Sequence, residues 1–260
     1  MGCLACAGFV KGMGEATRLI LREPVPAPIQ APCLAPRFLA GRSEREIAAL
    51  SVNTESGHMP LGDLFRIEPG LNDDVELEGD LTLFNGIGTS MAHGKLTVLG
   101  NAGDDLGSSM QGGTLAVEGD VGQNAGARMA GGTIRILGDT GNELGAAMEG
   151  GLIAVRGNAG DRTGASMTGG TIFVFGSSGV WTGIENRHGT IVVLKDLGEP
   201  LSDYNLSCTQ FPTILDHCYK QFREWGWDMP DGFDAGLFSR YVGDLNFNGK
   251  GEILVFNQSQ

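Results

Sequence analysis

The chain has 260 residues, of which 43 are glycine and 10 are proline, and its glycines follow no collagen period. Its apolar fraction of 41% argues against wholesale disorder, and no apolar run approaches the roughly 20 residues of a membrane span. A net charge of −13 disfavours binding to nucleic-acid phosphates and excludes a typical nucleic-acid-binding protein.

The N-terminus, residues 1–15, shows neither a period nor a helix cap, and we expect it to be a disordered extension. Cys3 and Cys6 have C-x-x-C spacing but lack the two further ligands of a structural zinc site, so we expect no metal or redox function there. The 5 cysteines form no disulfide framework and no signal peptide is visible, which favours the cytosol.

Residues 16–71 are predicted to cap a repetitive domain. Thr17–Glu23 is a strand candidate, and Pro24–Pro36 is a proline-rich linker. Ser43 and Glu46 form a capping-box pattern that predicts a short helix to about Leu50. The stretch from Gly62 to Ile67 is expected to lead into the first repeat.

Residues 72–204 contain a repeat with a step of 19 residues. Methionine recurs at this step from Met91 to Met167. Glycine recurs in the registers Gly94, Gly113, Gly132, Gly151, Gly170 and Gly189; Gly100, Gly119, Gly138, Gly157 and Gly176; Gly103, Gly122, Gly141, Gly160 and Gly179; and Gly88, Gly107, Gly126, Gly145, Gly164 and Gly183.

Each repeat holds one short alternating run, such as Thr133–Ile136, which predicts a strand with one buried face. The remaining residues are glycine, Asn, Asp and Ala, which we interpret as corners with positive φ. They are too few for a crossover helix, which excludes a βαβ sheet. The sequence therefore predicts an all-β fold, a right-handed parallel β-helix of about seven laps between small α-containing caps.

The outward strand positions are less polar than solvent favours. One column contains Leu99, Leu137, Phe175 and Leu194, and Phe173 lies in the neighbouring column. The terminal segments of the chain could cover this face, or the face could bind a partner subunit, and the sequence leaves both possibilities open.

Residues 205–260 are predicted to form a helix from Pro212 to about Trp225 and a tail, packed on the β-helix or on a partner. Cys208, His217 and Cys218 are interpreted as part of a packed helix, since the adjacent His217 and Cys218 point about 100° apart.

No active site is recognisable in the sequence. His58, His93 and His188 have no neighbouring nucleophile and carboxylate, and the glycine triplets lack the helix that a phosphate loop requires. The stacked turn residues Asn101, Asp120, Asp139 and Asn158 are expected to bond the backbone of adjacent turns rather than calcium. We therefore predict no catalytic, cofactor-binding or metal-binding residue in this chain.

The repeat motif M-x-G-G-x-I-x-V-x-G resembles the glycine-rich β-helix of two families. The first is the C-terminal domain of the glutamate synthase large subunit. The second is the C subunit of formylmethanofuran dehydrogenase, together with the related C subunit of the bacterial formyltransferase/hydrolase complex. The second match is better and covers nearly the whole chain after residue 16, including TRLILRE and FLAGRSEREIAAL. The end of the chain resembles the tail of this second family at Arg240, Tyr241, Gly243, Asp244, Gly249, Gly251 and Glu252. Four of these residues are expected to contact a cap or another subunit: Arg240, Tyr241, Asp244 and Glu252. The segment CLAC has no place in the family pattern.

This resemblance implies a scaffold subunit of a one-carbon complex. Such complexes move formyl groups between tetrahydromethanopterin and a methanofuran-type carrier, releasing formate in the hydrolase branch or exchanging carbon with CO2 in the dehydrogenase branch. The resemblance implies three partners: an amidohydrolase-like subunit, a molybdopterin-fold-like subunit and a formyltransferase subunit. Zinc and a molybdenum or tungsten pterin would belong to those partners, and neither nucleic acid nor a membrane is expected as a partner.

Two alternatives stay open from the sequence. A stand-alone glutamate synthase β-helix module would also act as a spacer, although the GKGEILV tail argues against it. An autonomous β-helix enzyme would need paired carboxylates or a catalytic His on one face, and Glu118, Glu143 and Glu149 are not stacked in such pairs.

Overall fold

The computed structural model describes residues 15–55, 57–198, 204–212, 214–229, 233, 236–243 and 249–257. Within these residues the chain winds into a coil whose strands stack side by side in one sheet of 12 strands, and a second sheet has 4 strands. Residues 1–14, with Cys3 and Cys6, lie outside the described part of the chain.

The N-terminal part contains short strands and helices. In chain order they are β1 (Thr17–Leu21), β2 (Ile29–Gln30), α1 (Pro36–Leu39), α2 (Glu44–Ala48), β3 (Ser51–Thr54), β4 (Gly57–Pro60), α3 (Leu61–Leu64) and β5 (Phe65–Glu68). The Ser43 side chain accepts from the Glu46 amide, and the Glu46 carboxylate accepts from the Ser43 amide, so the predicted capping box starts α2.

The coil is built from one strand per lap. Its elements are β6 (Asp74–Glu78), the short β7 (Phe84–Asn85), β8 (Lys95–Leu99), β9 (Thr114–Val117), β10 (Thr133–Ile136), β11 (Leu152–Val155), β12 (Thr171–Val174) and β13 (Thr190–Val193). Apart from β7, each of these strands pairs in parallel with the next one along the chain. The successive pairs mark six windings of the coil. Leu96 pairs with Val75 and Leu115 with Leu96, so the first winding has 21 residues and the next has 19. The predicted parallel β-helix is confirmed, with six windings between these strands where about seven laps were predicted.

The interior consists of stacked apolar columns. Leu96, Leu115 and Ile134 are in register from strand to strand, and none is exposed. Methionines from Met91 to Met167 fill another column, each at most 1% exposed. Single-residue parallel bridges form a second ladder from Leu81 to Leu197, on the far side of the corner after each strand.

The repeat glycines have two distinct physical roles, and the predicted supply of positive φ at corners is one of them. Gly132 has φ +95, and an added Cβ would lie 2.8 Å from the carbonyl oxygen of Gly113. Gly138 has no positive φ, but a Cβ there would lie 2.6 Å from the carbonyl oxygen of Gly119 in the preceding lap. The second column therefore requires glycine because consecutive laps approach too closely for a side chain.

The segment from Gly62 to Ile67 differs from the prediction. It forms part of α3 and β5, and β5 pairs antiparallel with β1, while β1 pairs parallel with β6. Because β1 occupies the position below the first lap, β5 is the outermost strand at that end rather than the entry to the coil. The proline-rich segment contributes β2 to the four-stranded sheet, in the order β4-β3-β2-β7, which the sequence had not predicted.

The C-terminal segment contains strands as well as the predicted helix. Its elements are β14 (Asn205–Gln210), α4 (Ile214–Glu224), β15 (Leu237–Val242) and β16 (Glu252–Asn257). β16 stacks parallel on β13 as a further rung, and β15 and β14 follow it antiparallel. The sheet thus ends in the order β13-β16-β15-β14, which the prediction of a helix and a tail had missed.

Candidate interaction surfaces

The outer face of the last laps is covered by the C-terminal segment. Phe173 and Val192 are fully buried, and Phe175 and Leu194 are at most 8% exposed. The ring of Phe222 on α4 lies 4.7 Å from that of Phe173 and 5.2 Å from that of Phe175. Trp227 completes the contact at 5.1 Å from Phe175. The chain itself therefore covers this part of the face, one of the two possibilities left open by the sequence.

The C-terminal segment does not cover the outer face of the first laps in the same way. Leu137 is half-buried and packs against the aromatic cluster, and Arg135 lies 5.7 Å from the ring of Trp225. Leu99, two laps earlier, is half-buried and outside that cluster. At the N-terminal end of the same face, Arg18 forms ion pairs with Glu76 at 3.2 Å and with Glu78 at 2.9 Å. The face thus changes from aromatic to charged along the stack.

The tail residues that carry the family resemblance lie at the C-terminal end of the sheet. Arg240 donates to Glu252 across the β15–β16 pair at 2.7 Å, and this hydrogen bond, together with the charge of Glu252, raises the pKa of the Arg240 guanidinium. Glu252 also accepts a hydrogen bond from Thr190 at 2.8 Å, which joins the tail to the last lap. Tyr241 packs half-buried against the core, and Asp244 lies outside the described residues.

The predicted turn column forms a ladder of side-chain to backbone hydrogen bonds. Asn101 accepts from the Asp120 amide at 2.9 Å, Asp120 from the Asp139 amide at 2.8 Å, and Asp139 from the Asn158 amide at 2.6 Å. The expectation that these residues bond adjacent turns is confirmed. A second ladder, absent from the sequence-based prediction, uses Asn85, Asp104, Asn142 and Asp161 in the same way.

The candidate metal and nucleophile residues are not brought together. His58, His93 and His188 are exposed on different parts of the chain. Cys218 is 6% exposed and burial raises the pKa of its thiol, as burial also does for Cys33. The side chain of His217 lies outside the described set, and within that set no group of three His, Cys, Asp or Glu residues could hold a metal ion.

Several buried hydroxyl groups inside the last laps are used for structure. Thr163 and Thr182 donate to backbone oxygens within their own turns, and the Tyr204 hydroxyl donates to Gly183 at 2.8 Å. Ser178 and Thr182 share a hydrogen bond of 2.6 Å. Because these hydroxyls are buried and bonded, none is placed to attack a substrate. No helix among the described residues is long and apolar enough to cross a membrane.

A surface cavity of about 380 Å³ lies in the N-terminal cap. It is lined by residues 22–26, Asp63 and Leu64, and so contains an arginine and two carboxylates but no histidine, cysteine or hydroxyl side chain. This set can bind a charged group, but its carboxylates have no His, Cys or hydroxyl side chain beside them in the lining.

These features define a parallel β-helix protein with a filled interior and flat, ordered outer faces. No family model matches the sequence. One curated relative, the C subunit of the Fhc formyltransferase/hydrolase complex of Methylorubrum extorquens, is 31% identical over 88 residues, which are 34% of this chain and 33% of the relative. The matched region thus spans about a third of that relative's length.

The structural similarity extends over most of the chain. A chain in the crystal structure of the formyltransferase/hydrolase complex (FhcABCD) from Methylorubrum extorquens, solved in complex with methylofuran, matches with a TM-score of 0.77 and 28% identity. The match covers 93% of this chain and 100% of the other. The predicted resemblance is confirmed: in sequence and in fold, the chain is similar to the C subunit of the formyltransferase/hydrolase complex family.

Proposed function

We propose that this chain is the non-catalytic scaffold, the C subunit, of a cytosolic formyltransferase/hydrolase complex. The observation that carries the proposal is the match over 100% of a chain that is itself part of a multi-subunit complex. In this proposal the sister subunits transfer a formyl group between tetrahydromethanopterin and a methanofuran-type carrier and release formate. Zinc and any pterin metal belong to those subunits, namely an amidohydrolase-like, a molybdopterin-fold-like and a formyltransferase subunit.

The architecture supports a scaffold role for a physical reason. Twelve strands at about 4.8 Å spacing form a continuous wall roughly 50 Å long, and each strand is hydrogen-bonded to its neighbours. The interior columns are closely packed, and packed interiors deform little. Two enzymes bound to such a wall would keep a fixed separation, which a carrier shared between their active sites requires.

Reconstitution tests this proposal. The chain is co-expressed with its three sister subunits, and formyl transfer and formate release are compared for the complete complex, for the complex without this chain and for this chain alone. We expect turnover only where the partners are present, and loss of assembly without the chain. The variant Gly132→Val serves as the control, because destabilised laps should lower the recovery of the complex and its turnover together. Turnover by the isolated chain, or full assembly and activity without it, would contradict the proposal.

A further inference from the structure

The two edges of the twelve-stranded sheet are protected to very different degrees. At one edge, β5 carries Arg66 and Glu68, which pair with each other at 3.3 Å, and α2 and α3 pack against it. Charged side chains and covering helices are the usual means by which a sheet edge is kept from pairing with another chain. At the other edge, β14 has the sequence NLSCTQ, with neither a charge nor a proline, and its pairing with β15 shifts register between Leu206 and Cys208. Among the described residues β14 pairs with β15 alone.

One column of inward-facing side chains of the coil ends at β14. Ile191 pairs with Ile253, Ile253 with Tyr241, and Tyr241 with Leu206, so these four side chains occupy one register across the last strands. Ile191 and Ile253 are fully buried, Tyr241 is half-buried, and Leu206 is 59% exposed. A further strand beside β14 would continue this column and cover Leu206.

A second exposed leucine lies on the same side of the wall. Leu237 on β15 is 52% exposed, and the alternation of side chains along a strand places it on the side of Tyr241. The extended wall formed by β16, β15 and β14 therefore presents apolar side chains at the end of the coil. An added strand gains main-chain hydrogen bonds from such an edge, and specificity from the alternate side chains.

The charge of the chain favours one kind of occupant. Two copies stacked end to end would each bring a net charge of −13, and strong like charge keeps proteins apart. We propose that β14 accepts an extended segment of a different polypeptide, with an apolar side chain opposite Leu206. This inference rests on the proposed function, since the segment would belong to a sister subunit of the complex.

Hydrogen exchange on the assembled complex tests this inference. The chain is co-expressed with its three sister subunits, and amide exchange of residues 205–210 is compared between the free chain and the complex. We expect the amides of this stretch that face away from β15 to exchange at least about tenfold more slowly in the complex, because strand addition bonds them, whereas those facing β15 are already bonded. The variant Leu206→Lys introduces a charge that edges use against pairing, and should reduce recovery of the partners by about tenfold or more. Leu71→Lys is the matched control, because Leu71 is 89% exposed at the opposite end of the sheet and should tolerate the change.

The outcomes separate this inference from the proposed function. If the wild-type chain assembles but exchange at 205–210 is unchanged and Leu206→Lys assembles like Leu71→Lys, the β14 interface is wrong and the scaffold proposal stands. If light scattering shows a dimer of this chain alone, with residues 205–210 protected, the choice of a different polypeptide is wrong. If the wild-type chain binds none of the three sister subunits, the proposed function itself is overturned.

Discussion

The laps from residue 95 to 194 and the C-terminal segment from 205 to 257 belong to the same sheet, but different interactions hold them. In the laps, each residue type stacks on its own kind at a fixed step, and side-chain ladders such as Asp120–Asp139–Asn158 bond consecutive turns. In the C-terminal segment, the rings of Phe222, Trp227 and Phe238 pack in an aromatic cluster that is not part of the repeat. We therefore expect a substitution in one lap to destabilise the neighbouring laps as well. A substitution in the aromatic cluster should instead detach the C-terminal segment from the outer face of the laps.

The largest effect should come from Gly132→Val. It combines an unfavourable φ of +95 with the close Gly113 carbonyl, and we expect a loss of roughly 4 kcal/mol from backbone strain and overpacking. Gly41→Val is the matched control, because Gly41 has φ +67 but nothing within 4 Å of its added Cβ, and should cost only about 1 to 2 kcal/mol. Urea unfolding followed by far-UV circular dichroism measures both losses. Equal losses would contradict the close approach of laps.

Phe222→Ala tests the cluster. Phe222 is fully buried against Phe173 and Phe175, so truncation should cost about 3 kcal/mol of the stability of the C-terminal segment. We expect tryptophan emission to shift to the red as Trp225 and Trp227 become hydrated, while the β signal of the laps persists. Lys220→Ala on the exposed side of α4 is the control and should leave both signals unchanged. A variant in which emission and β signal are lost together would show that the two regions unfold as one unit.

Asp139→Ala tests the ladder within the laps. The Asp139 carboxylate accepts the Asn158 amide at 2.6 Å, and loss of this bond should cost about 1 kcal/mol. Asp139→Asn keeps an acceptor oxygen and should retain most of the stability. Denaturation midpoints and hydrogen exchange at the Asn158 amide distinguish the two variants. If both variants have the wild-type midpoint, the ladder contributes nothing to the stability of the laps.

The smallest effect concerns the N-terminal cap at acid pH. Hydrogen bonds from the Ser43 side chain and backbone lower the pKa of Glu46. A carboxyl whose pKa is lowered on folding stabilises the folded state above its unfolded pKa, and this contribution is lost as the pH falls through the folded value. The melting temperature of Glu46→Gln should therefore lie below that of the wild type at pH 7, and the difference should shrink as the pH falls below about 4.3, the ordinary Glu pKa, and vanish below the lowered folded pKa. A difference that is constant with pH would contradict this origin.

The sequence predicted those parts of the fold that its period determines. The step of 19 identified the strands, the inward columns such as Leu96–Leu115–Ile134, and the ladder from Asn101 to Asn158, because stacked laps place equal residues in equal environments. Ser43 and Glu46 identified α2, because a capping box is a local pattern.

The rest depends on contacts between distant parts of the chain. β14 and β15 have no period, and their order in the sheet follows from the pairing of β16 with β13, which no local pattern shows. The contact between Arg135 and Trp225 also joins distant parts of the chain, and no local pattern in the sequence predicts it. A glycine in sequence also does not show whether its φ or a neighbouring backbone requires it, and so the close approach of the Gly119 carbonyl to Gly138 was not predicted.

The central claim is that this chain holds enzymes together and carries no reaction of its own. Its most direct test is native mass spectrometry of the tagged chain purified from its natural source, with formyl-transfer and formate-release assays on each separated species. The account predicts that the chain is recovered in stoichiometric assembly with hydrolase and formyltransferase subunits, and that turnover is confined to species that contain them. Recovery of the chain as a free, single polypeptide that itself catalyses either step would contradict it.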